Sequence, residues 1–464
     1  MKMTGGANIG WANASCPFRP YQLPMRLVGI LVVLTLAAAG QDAEGPKLLW
    51  KLDTASPSYG SGAVADIDGD GKLEIVFGTY FNDEHLYAVN AEDGSVLWKF
   101  KSEGGPFDAS VAIADLDGDR KPDVLAGDSS TGTLFCLDGE GKKQWSVRLP
   151  NSTDSPPAVA DLEGDGKLEI VVGSMWKRNG QGDVTVLRAS TREVVWSREV
   201  KGCVQSEPCL VDLDGDRVLD VIVTSWRGDQ TVRAFSGKDG RDLWSFETSG
   251  EGDDANNHYG LYHGVSAGIL KKGGELRIAF GTCSTQRGTL FLLDARGKLI
   301  WKKALGEYLF APTTMADLNG DGDREILVSG TNTHLFSADG DPLWKSAIGS
   351  SRGAAIADVD GDGDLDAVLC GRERKVAALD GPTGKLLWTF DATCGDHEGE
   401  GCDSGPLISD FDGDGALDVF FFAGKGWSGR TQAKNYGRAY ALRLRKGSGR
   451  WETFRGDLRR TGFR

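Results

Sequence analysis

Asp66, Asp68, Asp70 and Glu74 stand at positions one, three, five and nine of the stretch Asp66-Ile67-Asp68-Gly69-Asp70-Gly71-Lys72-Leu73-Glu74. Carboxylates on alternate residues present hard oxygen ligands, and the glycines between them let the backbone curl around one ion; Ca²⁺ takes about six to eight such oxygens. A carbonyl near position seven and a water would complete the shell. The stretch is not an EF-hand, which runs for about twelve residues and closes on a bidentate Glu between helices. Here position nine already lies in the apolar run Leu73-Glu74-Ile75-Val76-Phe77. Relatives of this loop begin at Asp115, Asp161, Asp212, Asp317, Asp358 and Asp410.

The elements that must position these loops recur with them. Gly62-Ala63-Val64-Ala65 leads in, Leu73 to Phe77 leads out and Gly78 closes it; Leu86-Tyr87-Ala88-Val89, an Asp93-Gly94 turn and Val96-Leu97-Trp98-Lys99-Phe100 follow. Alternating runs joined by glycine turns predict four antiparallel strands per unit. The gap between Asp212 and Asp317 is twice the usual one and holds a degenerate unit. There Leu276 to Gly281 matches the second strand, but the preceding loop reads Ile269-Leu270-Lys271-Lys272-Gly273-Gly274. Lys271 falls where the second Asp belongs, so its ammonium is expected to replace the ion and no metal is expected in this unit.

Each fourth strand carries a tryptophan: Trp98, Trp145, Trp196, Trp244, Trp301, Trp344, Trp388 and Trp451, with a further copy, Trp50, alone near the start. The leftover strand predicts the closure. The expected fold is all-β, an eight-bladed β-propeller of four-stranded antiparallel blades over residues 41–464, closed by an N-terminal strand at residues 47–54 in the eighth blade. The tail Trp451 to Asp457 competes for the same place. The tryptophans are expected to pack between blades.

Composition is that of a globular, turn-rich chain, with 65 glycines and 26% charged residues. A formal charge of −15 with no basic patch argues against nucleic acid or an anionic membrane surface as partner. Much of that acidity is ligand charge awaiting cations. Leu27 to Ala39, after Arg26 and before Gly40, has the layout of a secretory signal peptide over residues 1–40, with Met25 as an alternative start. Its apolar run is too short to span a bilayer. A free protein is therefore expected, secreted, periplasmic or at the cell surface, without stable membrane insertion after cleavage. In such an oxidising compartment Cys203 with Cys209, and Cys394 with Cys402, are plausible local disulfides whose closure spacing alone does not show. Cys136, Cys283 and Cys370 sit in strand-like runs as small apolar residues.

The Asp loops resemble the FG-GAP, or VCBS, repeats of integrin-α-type propellers. The other half of each unit, Leu86 to Trp98 or Ala378 to Trp388, resembles the repeat of PQQ-like, quinoprotein-type propellers. Together the resemblances cover roughly residues 47–464, and they imply a calcium-bearing propeller while leaving function wide. They imply about seven structural Ca²⁺ sites. The implied ligands are Asp66, Asp68, Asp70 and Glu74; Asp115, Asp117, Asp119 and Asp123; Asp161, Glu163, Asp165 and Glu169; and Asp212, Asp214, Asp216 and Asp220. The later loops supply Asp317, Asn319, Asp321 and Glu325; Asp358, Asp360, Asp362 and Asp366; and Asp410, Asp412, Asp414 and Asp418. Asn319 still offers a carbonyl oxygen.

Strand parity puts the carboxylate loops and Asp-Gly turns on one face, and the long segments Ser249 to His263, Asp391 to Asp403 and Gly424 to Gly437 on the other. Tyr80, Trp176, Trp226, Tyr259, Tyr262 and Trp427 gather on that second face as a candidate ligand surface; packing between blades is the competing role. His258 and His263 read as surface or hydrogen-bonded histidines. The leading function is an exported, calcium-stabilised binding or adhesion module for a glycan or protein partner. The alternative is a calcium-dependent polysaccharide lyase or hydrolase resembling rhamnogalacturonan lyases, with the Asp391 to Asp403 loop beside Lys425, Arg430 and Lys434 as its acid–base candidate. A quinoprotein-type dehydrogenase ranks third, because no adjacent Cys-Cys pair is present. Whether the protein is an enzyme stays open, with no catalytic residue assigned.

Overall fold

The computed structural model describes residues 45–102, 104–175, 180–226, 228–248, 260–283, 287–371, 374–392, 401–426, 429–444 and 447–449. Eight four-stranded antiparallel sheets account for them. In the first blade the strands are Ala63–Ala65, Glu74–Gly78, His85–Asn90 and Val96–Lys101. Glu74–Gly78 is buried throughout, because blades cover both faces of the middle strands; Val96–Lys101 alternates exposed and half-buried positions at the rim. First strands of neighbouring blades touch one another all around the ring, from Ala63–Ala65 to Leu407–Ser409 and back. They therefore line the axis.

The ring closes as the leftover strand predicts. Lys47–Thr54 runs antiparallel to Tyr436–Arg443, from Lys47 opposite Arg443 to Thr54 opposite Gly437, as the fourth strand of the eighth blade. The competing tail lies outside the described residues.

The tryptophans join blades. Trp98 Nε1 donates to the Gly139 carbonyl at 2.8 Å, Trp196 to Gly237 at 2.7 Å, Trp244 to Ala295 at 2.9 Å and Trp344 to Gly381 at 2.7 Å, each reaching the turn of the following blade. Each ring also lies against a turn glycine, Gly141, Gly240, Gly297 or Gly384, where any Cβ would collide with it. Gly139 packs in turn on the carbonyl of Ile67 in the preceding blade's carboxylate loop, so turns and loops share one face.

Lys271 departs from its expected role. Its ammonium reaches Asp339 on the turn of the next blade at 2.6 Å instead of filling its own loop, whose carboxylate, Glu275, pairs with Arg277 at 3.0 Å. Among the described residues no helix is long and apolar enough to cross a membrane.

Candidate functional site

Two constellations carry chemistry, one on each face. On the first, the ninth carboxylate of every loop accepts the backbone N–H of the second residue. Glu74 takes Ile67 at 2.9 Å, Asp123 takes Leu116 at 2.8 Å, Glu169 takes Leu162 at 2.8 Å and Asp220 takes Leu213 at 3.0 Å. Glu325, Asp366 and Asp418 do the same with Leu318, Val359 and Phe411. One carboxylate oxygen is thus fixed by the fold; the second oxygen of Asp366 accepts Gly381 N–H at 3.3 Å and that of Glu169 pairs with Arg188. In five loops three carboxylates bring an oxygen each within 4.8 Å of one another: Asp66, Asp68 and Asp70; Asp115, Asp117 and Asp123; Asp212, Asp214 and Asp220; Asp358, Asp360 and Asp366; Asp410, Asp412 and Asp418. Such an oxygen-only donor set fits a hard cation.

Burial, with repulsion from the neighbouring acids, pushes Glu74, Asp220, Glu325, Asp366 and Asp418 up to about 7 and Asp123 up to about 6. Asp317 Oδ1 and Asp418 Oδ1 are buried with no hydrogen-bond partner among the described residues. A bound cation would relieve both deficits.

The second constellation stands where the blade-to-blade segments enter the innermost strands. Tyr59, Asp108, Asp154, Gln205, Phe310 and Asp403 each precede a first strand by four residues in their own blade, starting at Ala63, Ala112, Ala158, Cys209, Thr314 and Leu407. Tyr262 takes the equivalent register in the fifth blade, four before Ser266, with His263 next to it, and Ser351 and Arg352 take it in the seventh, where a bulge intervenes. Ring symmetry therefore delivers one such segment per blade to a single funnel at the mouth of the axis.

One wall of the funnel is aromatic. Tyr59 meets Tyr80 edge-on with centroids 4.9 Å apart, Trp226 meets Tyr262 at 5.3 Å, and Tyr262 lies 4.8 Å from Phe310. The Arg352 guanidinium sits 5.8 Å from the Tyr59 ring and 6.0 Å from Phe310, and is held by Asp403 at 3.2 Å. Burial opposes the charge on Arg352, but Asp403 together with Tyr262 and Tyr59 offsets it and keeps the guanidinium protonated.

Acids lie beside these rings, with Asp108 and Asp154 both close enough to act on Tyr80 and Tyr262. Asp154 accepts the side-chain amide of Gln205. Asp108 Oδ1, Asp154 Oδ1, Gln205 Oε1 and His263 Nε2 are buried atoms without a hydrogen-bond partner among the described residues. Burial pushes Asp108 up to about 6 and Asp154 well above the usual carboxylate range, with the charge of Asp108 adding to the shift at Asp154. His263 is lowered by burial despite Glu207 at 3.9 Å.

Of the aromatics expected on this face, Tyr80, Trp226 and Tyr262 converge in the funnel; Trp176, Tyr259 and Trp427 lie outside the described residues, as do His258, Cys394 and the signal segment. His263 is not a surface histidine but part of the funnel wall. The expected Cys203–Cys209 bridge is not formed. Cys203 pairs with Trp226, whereas Cys209 pairs with Ile222, four residues away. That separation is on the order of 13 Å of strand, beyond the roughly 7 Å that a disulfide spans. Cys402 is likewise a buried thiol, its backbone N–H bonded to Gly371 beside Cys370. The acids and Arg352 of the funnel carry no local motif; only their fixed offset from each first strand marks them.

In sequence, residues 66–126 match the FG-GAP-like repeat, and residues 131–307 and 286–461 match the family described as outer membrane protein assembly factor BamB. No curated protein matches the sequence. In structure the chain is similar to Saccharomyces cerevisiae Sqt1, with TM-score 0.60 and 12% identity over 86% of this chain and 100% of that one. It is similar also to a europium-containing methanol dehydrogenase, with TM-score 0.58 and 13% identity over 86% and 93% of the two chains. The quinohemoprotein alcohol dehydrogenase of Comamonas testosteroni gives TM-score 0.58 and 14% identity over 88% and 77%. At these identities the structures share the fold alone. The repeat match spans most of the chain, and the protein is a member of the PQQ-like-repeat propeller family described as outer membrane protein assembly factor BamB.

Proposed function

We propose that this protein is an exported, calcium-stabilised propeller that binds a glycan in the axial funnel. One observation carries the reading: three buried acceptors, Asp108 Oδ1, Asp154 Oδ1 and Gln205 Oε1, lack a donor among the described residues beside a wall of aromatic rings. Buried acceptors are normally satisfied, so the deficit belongs to a ligand rich in donors. Sugar hydroxyls supply such donors, and a sugar face stacks on Tyr or Trp. Buried acceptors suit a small polyol better than a protein, which would dock on the rim and leave them unmet. Calcium acts on the opposite face and serves stability, where the loops tie first to second strands.

A glycan array probed with calcium-loaded protein tests this. Binding that is lost in Gln205→Ala supports it; a folded protein that retains no glycan, or whose glycan binding ignores Gln205, counts against it.

The lyase or hydrolase reading draws on the same acids. Asp108 and Asp154 are both held toward their protonated forms, as a general acid requires. Release of new reducing or unsaturated ends from a glycan by the unaltered protein, lost in Asp154→Asn at glycan concentrations that still saturate it, would favour it over binding alone.

A further inference from the structure

The third-strand residue that faces the ninth loop position decides what sits in each loop. In the first blade that residue is Asn90, opposite Glu74. Continuing the strand registers by one gives Asp138, Ser236, Ser337 and Asp380 in the second, fourth, sixth and seventh blades. None of these is a cation. The third blade instead places Arg188 opposite Glu169, and the eighth places Arg443 opposite Asp418.

Both arginines turn into their loops and meet the same three positions. Arg188 pairs with Glu169, and lies 3.8 Å from Glu163 and 3.8 Å from Asp165. Arg443 pairs with Asp412, and lies 3.0 Å from Asp414 and 3.8 Å from Asp418. Positions three, five and nine are the carboxylates on which a metal would draw. By contrast, Arg241 touches the fourth loop only at Asp214, 3.6 Å away and largely exposed.

We infer that the third and eighth loops are closed by their own arginine, so that the chain holds calcium in the loops beginning at Asp66, Asp115, Asp212, Asp317 and Asp358 and in no other. A guanidinium delivered from the neighbouring strand is always charged and costs no ion to recruit. Its planar fork takes two or three carboxylates at once, and it occupies the volume in which an ion would have to sit at about 2.4 Å from the same oxygens. The eighth loop shows the competition directly: Asp410, Asp412 and Asp418 converge closely enough for a metal, and Arg443 stands among them. In the fifth blade an arginine stands at the ninth position itself: Arg277 lies opposite Asp294 and pairs with Glu275 at 3.0 Å. Alternation of metal and arginine would leave parts of the ring secure when calcium is scarce.

The inference rests on the calcium reading, and one set of measurements separates the two. Full-length protein equilibrated with calcium and analysed for bound metal is expected to hold five ions per chain. Arg188→Met and Arg443→Met should each add one, and the double variant should hold seven. In the converse direction, Asn90→Arg should remove one ion from the first loop without requiring either native arginine to be disturbed. Seven ions in the unaltered protein, or a double variant that stays at five while folded, would overturn the inference and leave the calcium reading standing. Absence of bound calcium from every variant would overturn both.

Discussion

The indole nitrogen of Trp50 donates to the backbone carbonyl of Ala91 at 2.7 Å, across the seam where the last blade meets the first. Forty-one residues of chain separate the pair, yet the same clasp recurs between the other blades with Trp98, Trp196, Trp244 and Trp344. At the seam it joins an N-terminal strand to a ring whose remaining blades are continuous in sequence, together with bonds such as Ala55 N–H to Asp83 at 2.8 Å and Ser56 Oγ–H to the Tyr80 carbonyl at 2.8 Å. The ring of Trp50 also packs on Phe420, with centroids 6.0 Å apart.

Trp50→Ala should therefore destabilise the protein by about 3 to 5 kcal/mol, the usual range for deleting a buried tryptophan. Urea denaturation followed by far-ultraviolet circular dichroism reads the change. A loss below about 1 kcal/mol would mean that the seam is held by the strand pairing alone.

Glycines in the turns and loops separate two costs. Gly94 has φ +72° and a Cβ there would sit 2.6 Å from the Trp50 ring, whereas Gly69 has φ +82° and open space around it. Gly69→Ala should cost only the left-handed backbone penalty, about 1 to 2 kcal/mol. Gly94→Ala should cost clearly more, because the clasp must move as well. Equal losses in the two variants would contradict the packing role of the turn glycine.

Without calcium, stability should fall as pH rises. The carboxyls of Glu74, Asp220, Glu325, Asp366 and Asp418 are raised to about 7, by burial first and by neighbouring acids second. An unfolded carboxyl titrates near about 4, so between about pH 4 and pH 7 the folded state binds more protons and acidification favours it. The stabilisation is present at the acid end of that window and is lost as pH rises through 7. With calcium bound beside Glu74, Asp220, Glu325 and Asp366 the sign reverses, since protons compete with the ion for the same oxygens, whereas Asp418, beside Arg443, keeps its sign. Melting curves in chelator and in excess calcium, each from pH 5 to pH 8, should cross in slope. Parallel curves would remove the loops from the account.

Asp154→Asn should raise stability by about 1 kcal/mol while weakening glycan binding. Burial and Asp108 both oppose ionisation of Asp154, so a neutral amide removes what cost ionisation still carries there, but it puts N–H donors where the ligand needs an acceptor. Asp68→Ala is the counterpart on the other face: lower stability, one ion fewer and unchanged glycan affinity. If both variants lose affinity and stability together, the two faces are not independent.

How far these features could be read in advance depended on whether they are local and periodic. The carboxylate loops and the tryptophans repeat at a constant place in each unit, so the blade number, the register and the closing strand were legible from spacing. Tyr80, Trp226 and Tyr262 were legible as a face because strand parity sorts the loops. Asp108, Asp154, Gln205 and Arg352 were not, since each is a single residue in a variable segment, and only ring closure gathers them; Asp403 was legible only as the end of the Asp391 to Asp403 segment, not as the partner of Arg352. Arg188 lies 19 residues from Glu169; strand register, not sequence proximity, brings them together. Lys271 was misread for the same reason, its partner Asp339 belonging to the next blade.

Calorimetric titration of the best array glycan into calcium-loaded wild type and into Gln205→Ala tests the central claim most directly, with melting temperatures recorded on the same samples. Gln205 is almost fully buried and its unpartnered oxygen is a wall of the funnel. The account predicts affinity at least about tenfold weaker in the variant, the equivalent of roughly 1.4 kcal/mol, at a nearly unchanged melting temperature. Equal affinity in the two folded proteins would contradict it.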